Sequence, residues 1–145
     1  QTEVNRMKKD QLIVVAGGGG FIGGHLVGDL LRRGFTSVRS VDIKPQDEWY
    51  QVHDGVDNLQ LDLQDRANCV RACDGAGEIY QLAADMGGMG FIENNKALCM
   101  LSVLINTHMV MAAKDAGVER YFRIERHGAI GDSRRKLYRM SVRTG

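Results

Sequence analysis

Four consecutive glycines, followed by a fifth three residues later, are the part of this sequence best suited to binding a phosphate. Residues 17–20 with Gly23 fit the spacing G-x-x-G-x-x-G from Gly17 and G-x-G-x-x-G from Gly18. Glycines permit a tight turn and let a phosphate approach the backbone, while the N–H groups that open a following helix bind its negative charge. This chemistry suits the pyrophosphate of a dinucleotide, although a flexible turn is the alternative for an isolated motif. The predicted contacts are Gly17, Gly20, Phe21, Ile22 and Gly23.

Two aspartates stand at the ends of segments that have the composition of β-strands. Asp42 lies 19 residues after Gly23, where a carboxylate can accept hydrogen bonds from the hydroxyls of an adenosine ribose and repel a 2′-phosphate. This favours NAD over NADP, while nearby Lys44 leaves some room for a phosphate, and an ordinary acid at a strand end is the alternative. Asp62 and the following Leu63 stand at the next strand end, where the Asp62 carboxylate can meet the adenine amino group. Asp42, Asp62 and Leu63 are predicted cofactor contacts.

Strands alternate with helices along most of the chain, and these elements must position the glycines and the acids. The apolar patterns predict strands at residues 12–16, 37–42, 58–62, 78–82 and 118–122, and helices at 25–33, 64–73 and 93–116. Residues 45–57 are predicted to be a long, irregular connection. Because parallel strands joined by helices need right-handed crossovers, the pattern predicts a Rossmann-type, doubly wound α/β domain that stops after about the fifth strand. We assign residues 1–10 to a polar extension and residues 11–122 to the dinucleotide-binding domain.

The overall composition is that of an ordinary globular protein. The 145 residues are 43% hydrophobic and 26% charged with a net charge of +1, which does not favour general binding to nucleic acid or membranes. We therefore expect a cytoplasmic protein with no membrane partner. No metal site is predicted, because neither the cysteines nor the histidines show ligand spacing. The cysteines, expected to be reduced thiols, are Cys69, Cys73 and Cys99, and the histidines are His25, His53, His108 and His127.

The last 23 residues differ sharply in charge from the rest of the chain. Residues 123–145 hold seven basic and two acidic residues, whereas residues 1–122 hold 12 basic and 16 acidic residues. This Arg-rich tail has few apolar residues and no sustained period, so it is expected to pack poorly beyond its first few residues. It fits a solvated terminus, a nucleic-acid arm, or the product of a shifted reading frame. The third interpretation is favoured because the composition changes abruptly, and a nucleic-acid partner is not expected.

The motifs together resemble a known enzyme family. The glycine turn with Phe21-Ile22-Gly23, the acids Asp42 and Asp62, and the segment LAADMGGMGFI at residues 82–92 resemble the extended short-chain dehydrogenase/reductases, more specifically the GDP-mannose epimerases among them. The resemblance extends over about residues 11–122. It implies NAD as cofactor with Ala83 as a further contact, a homodimer through helix 93–116, and a GDP-mannose-like nucleotide sugar as substrate. The implied substrate contacts are Gly87, Gly88 and Met89; a connection whose methionines fill core gaps is the alternative.

The residues that would perform such an epimerisation are not found where the resemblance implies them. Bound NAD would take a hydride from the sugar and return it, assisted by acid and base side chains that include a Tyr-x-x-x-Lys pair after the fifth strand. This chain reads RIERHG from residue 123, and Tyr138 is followed four residues later by Val142. No catalytic residue is therefore predicted. Two functions remain open: the NAD-binding portion of a nucleotide-sugar epimerase that is inactive as given, or a non-catalytic dinucleotide-binding module that pairs through helix 93–116.

Overall fold

The computed structural model describes residues 9–83, 95–126 and 135–140, with side chains described for residues 9–83 and 100–123. A short 3-10 helix, Gln46–Glu48, lies in the connection after the second strand. The strands are β1 (Ile13–Ala16), β2 (Val38–Asp42), β3 (Asp57–Gln60), β4 (Glu78–Gln81), β5 (Arg120–Arg126) and β6 (Arg135–Met140). The helices are α1 (Phe21–Arg32), α2 (Arg66–Cys73) and α3 (Asn95–Asp115).

The strands form one sheet in the order β3-β2-β1-β4-β5-β6. The first five are parallel, and the order reverses at β1, which pairs with β2 on one side and with β4 on the other. This arrangement confirms the prediction of a Rossmann-type, doubly wound α/β fold. In such sheets, ligands bind outside the carboxyl ends of the strands at the point where the strand order reverses. The turn that follows β1 lies at this point.

The buried central strand β1 separates two apolar layers. Ile13 and Val15 pack with α1 residues such as Val27, whereas Val14 and Ala16 belong to the larger cluster with α2 and α3. Successive side chains of a strand point to opposite faces, so one short apolar run serves both layers. This packing fixes the position of the turn that begins at residue 17.

The tail adds a sixth strand to the sheet. β5 continues past the predicted boundary at residue 123, and β6 pairs with it antiparallel from Tyr121↔Met140 to Arg126↔Arg135. Tyr138 therefore lies on β6, opposite Arg123. The domain boundaries themselves stay a prediction.

Helix α3 has one buried side and one exposed apolar side. Ile105, Met109 and Ala112 are buried against the sheet and α2. The exposed apolar side chains on the other side are Met100, Val103, Leu104 and Met111. No helix among residues 9–83 and 95–126 is long and apolar enough to cross a lipid bilayer.

Candidate dinucleotide site

The glycine turn is held against the end of β2 by its own backbone. The N–H groups of Gly17 and Gly18 donate to the carbonyl oxygen of Val41 at 2.7 and 3.1 Å, and the N–H of Gly20 donates to the Gly17 carbonyl at 3.1 Å. Gly17 has a φ of +86°, a conformation that L side chains rarely adopt. The turn therefore leaves β1 in a direction that depends on glycine.

The turn is also too crowded for side chains at two of the predicted positions. A Cβ on Gly17 would lie 2.8 Å from both the Ala83 nitrogen and the Leu82 carbonyl carbon, and one on Gly23 would overlap the Gly17 carbonyl oxygen. Ala83, predicted as a cofactor contact, thus follows β4 directly beside the turn. Its position is fixed because its N–H donates to Gln81 Oε1 at 3.1 Å and its carbonyl accepts from Gln81 Nε2 at 2.9 Å.

Helix α1 presents an uncapped amino terminus beside this turn. Within the described residues of α1 and its N-cap Gly20, no side chain caps the helix and no acid lies in its first turn. The first N–H groups of a helix have no intrahelical acceptor, so those of Phe21, Ile22 and Gly23 are available to an anion. The crowded glycines and these donors fit the pyrophosphate of a dinucleotide. The contacts predicted from the motif stay a prediction.

Asp42, at the carboxyl end of β2, is nearly enclosed. It is 8% exposed, and its carboxylate accepts the Gly19 N–H at Oδ2 and the Lys44 N–H at Oδ1, both at 3.0 Å. A carboxylate has about four lone-pair positions, so it retains acceptor capacity for a ribose hydroxyl. The hydrogen bonds hold the carboxylate beside the glycine turn, and its contact with a ribose stays a prediction.

Asp62 and Leu63 follow β3 at the same edge of the sheet. The Leu61 N–H donates to the Asp42 carbonyl at 3.0 Å, which brings the two acid-bearing strand ends together. Asp62 is exposed, and its Oδ1 accepts the Gln64 N–H at 2.9 Å. Leu63 is 4% exposed and belongs to the core, so of these two side chains it is Asp62 that faces solvent. The predicted substrate contacts Gly87, Gly88 and Met89 lie outside the described residues.

Sequence reasoning missed Trp49, which stands in the connection predicted to be irregular. The side chain is 7% exposed, and its Nε1 donates to the Lys44 carbonyl at 2.7 Å. The next residue, Tyr50, donates its N–H to the Gly19 carbonyl at 3.1 Å. A lone tryptophan in a polar connection was the available signal, because tryptophan is mostly buried when a polar partner can receive its N–H.

The described part of the chain offers neither an activated nucleophile nor a metal site. Burial raises the pKa of the Cys69 and Cys73 thiols to about 12, so they remain protonated near neutral pH. Burial also raises the pKa of Tyr80 and Tyr121 above the ordinary tyrosine value. The described residues hold no group of three histidines, cysteines or acids that could bind a metal ion.

Comparison with known proteins identifies relatives of this arrangement. The model of the NAD dependent epimerase/dehydratase family matches residues 13–136. GDP-mannose 3,5-epimerase 1 of Oryza sativa subsp. japonica is 35% identical over 111 residues, which are 76% of this chain and 29% of that protein. A 3 beta-hydroxysteroid dehydrogenase/Delta 5-->4-isomerase of Mycobacterium tuberculosis is 34% identical over 113 residues, covering 75% of this chain and 30% of that protein.

A solved structure extends the comparison to three dimensions. The UDP-glucose 4-epimerase of Thermus thermophilus, in complex with NAD, superposes with a TM-score of 0.62 at 27% identity. The match covers 77% of this chain and 36% of that one. The chain thus spans about a third of the length of the relatives it matches.

Proposed function

Because the chain belongs to the NAD dependent epimerase/dehydratase family, we propose that it binds NAD in the glycine turn between β1 and α1. The observation that carries this proposal is the placement of the Asp42 carboxylate over a turn that opens an uncapped helix. The turn and helix suit the pyrophosphate, and the carboxylate suits the adenosine ribose. The proposed cofactor contacts are Gly17, Gly20, Phe21, Ile22, Gly23, Asp42, Asp62, Leu63 and Ala83.

The proposed substrate is a GDP-mannose-like nucleotide sugar, bound with the help of Gly87, Gly88 and Met89. The motif at residues 82–92 and the 35% identity to the rice epimerase support this choice. Bound NAD would supply hydride transfer at the sugar, as the resemblance to nucleotide-sugar epimerases implies. This chain's residues would hold the dinucleotide and one side of the sugar, but the sequence lacks a Tyr-x-x-x-Lys pair to move protons. We therefore propose binding without turnover.

Titration calorimetry with NAD⁺ and then GDP-mannose, combined with chromatographic detection of epimerised sugar, tests this function. We expect NAD⁺ to bind and to change the fluorescence of Trp49, the single tryptophan of the chain, with no epimerised product.

Gly20→Ala should weaken NAD⁺ binding, because a methyl group would stand at the amino terminus of α1 where the pyrophosphate approaches. Product formation would contradict binding without turnover, and absence of NAD⁺ binding would contradict the site itself.

The exposed apolar side of α3 favours a second proposal, a non-catalytic role in which the chain pairs with another copy of itself. Met100 is 72% exposed and Val103 is 58% exposed, which is unusual for large apolar side chains that neighbour each other on one helix. Sedimentation velocity should show a dimer that Val103→Glu dissociates. The matched control is Val70→Glu on α2, whose side chain is 51% exposed and should leave the dimer intact. A monomeric unmodified chain would contradict the pairing.

A further inference from the structure

The indole of Trp49 and the carboxyl group of Asp42 meet on the same side of the glycine turn. A methyl group placed on Gly19 would lie 2.7 Å from Trp49 Cδ1 and 2.9 Å from the Asp42 carboxyl carbon. The orientation of the indole is fixed by its hydrogen bond to the Lys44 carbonyl and by the Tyr50 N–H bound to Gly19. Trp49 therefore forms a fixed wall beside Asp42.

This wall leaves different amounts of room for a hydroxyl and for a phosphate. Asp42 is 8% exposed, and both of its carboxylate oxygens already accept a backbone N–H. A ribose hydroxyl needs one free lone pair and can reach it through a small opening. A 2′-phosphate adds three charged acceptor oxygens, which a carboxylate repels and which need a space of their own. With Trp49 7% exposed and packed on Gly19, the indole occupies space beside the carboxylate.

We propose that Trp49 is a specificity-determining residue that excludes NADP by volume, in addition to the exclusion by the charge of Asp42. The inference rests on the proposed function, because it concerns which dinucleotide the turn accepts. It follows that removing the charge of Asp42 alone does not admit NADP. When the indole is also removed, the space beside Lys44 opens, and this lysine supplies a cation for the phosphate. The Lys44 amine stands 5.9 Å from the centroid of the Tyr50 ring, and the backbone N–H of Lys44 is bound to Asp42.

Calorimetric titration of the full chain with NAD⁺ and with NADP⁺ tests the proposal in a double-mutant cycle. Asp42→Asn removes the charge and keeps the shape, but its amide NH₂ cannot accept one of the two backbone N–H groups that Asp42 binds. We expect it to weaken NAD⁺ binding about 10-fold, by loss of charge-assisted hydrogen bonds. It should improve NADP⁺ binding no more than about threefold while the wall remains. Adding Trp49→Ala should then improve NADP⁺ binding about 10-fold or more over Asp42→Asn, because both the steric and the electrostatic barriers are gone.

Control variants separate the wall from a general loss of structure. Val52→Ala shortens an apolar side chain of the same connection, which is 50% exposed, and should leave the NAD⁺-to-NADP⁺ affinity ratio unchanged. If Trp49→Ala unfolds by circular dichroism, Trp49→Leu keeps apolar packing in a shorter side chain and should change the ratio in the same direction. NADP⁺ binding by Asp42→Asn as tight as by the double variant would overturn the inference, as would a double variant without gain. Failure of the unmodified chain to bind NAD⁺ would contradict the proposed function, and this inference with it.

Discussion

Gly17→Ala is expected to lower the free energy of unfolding by about 2–4 kcal/mol, because it forces an L side chain into a left-handed conformation and against backbone atoms. The φ of Gly17 is +86°, and the new methyl carbon would lie 2.8 Å from the Ala83 nitrogen and the Leu82 carbonyl carbon. Backbone atoms cannot rotate away as a flexible side chain can. Urea denaturation followed by far-UV circular dichroism measures the loss.

Gly20→Ala is the matched control within the same turn. A Cβ on Gly20 would meet only the Gly17 carbonyl oxygen at 3.4 Å, and the φ of Gly20 is −79°. The free energy of unfolding of Gly20→Ala should therefore stay within about 1 kcal/mol of that of the unmodified chain. Equal destabilisation by Gly17→Ala and Gly20→Ala would contradict this geometry, because the turn would then respond to a methyl group in the same way at both positions.

Arg39→Met is expected to cost about 2–4 kcal/mol of unfolding free energy, since several charge-assisted hydrogen bonds are lost together. The Arg39 guanidinium binds Asp57 Oδ2 through Nε at 2.9 Å. Its Nη1 donates to the carbonyl oxygens of Ala72 and Asp74 at 2.9 Å, where α2 ends. A cation suits this helix end because the last carbonyl groups have no intrahelical donor. Thermal and urea denaturation should both report the loss.

Two substitutions show whether the geometry of Arg39, and not its charge alone, is responsible. Arg39→Lys keeps the charge but cannot donate in two directions from a planar group, so it should recover only part of the stability. Arg33→Met breaks an exposed ion pair with Asp29, in which the Arg33 side chain is 67% exposed, and should change stability by about 0.5 kcal/mol or less. A similar effect of Arg33→Met and Arg39→Met would argue against a special role for Arg39.

The parallel sheet could be predicted because its signals are local. Ile13–Ala16 is a short, wholly apolar run directly before the glycines, which is typical of a central parallel strand. The spacing from Gly17 to Asp42 then predicts a strand, a turn, a helix and a second strand. The predicted boundaries differ from the observed ones by a few residues: the first helix begins at Phe21 instead of residue 25. The sequence marks the start of this helix only weakly, because Gly23 and Gly24 occupy its first turn.

The surroundings of the candidate site could not be predicted, because they depend on contacts between segments distant in sequence. The hydrogen bond from Gly19 to Asp42 joins residues 23 positions apart, and no local pattern encodes it. Trp49 reaches the turn from a connection whose polar composition predicts an irregular loop. Nor does the composition of the tail predict that β6 pairs with β5, because a surplus of basic residues neither marks a strand nor strongly disfavours one.

The position of β1 in the middle of the sheet also sets an order in which the candidate site can form during folding. Ile13 pairs with Val38, which is reached after a single helix, and with Glu78, which is reached only after the 3-10 helix, β3 and α2. Closing the longer loop costs more chain entropy, so non-local pairings form later. The bonds from the turn to Val41 belong to the early β1-α1-β2 unit, whereas Ala83, which lies beside Gly17, is positioned only when β4 pairs with β1. We therefore expect a folding chain to hold Asp42 against the glycine turn before it positions Ala83.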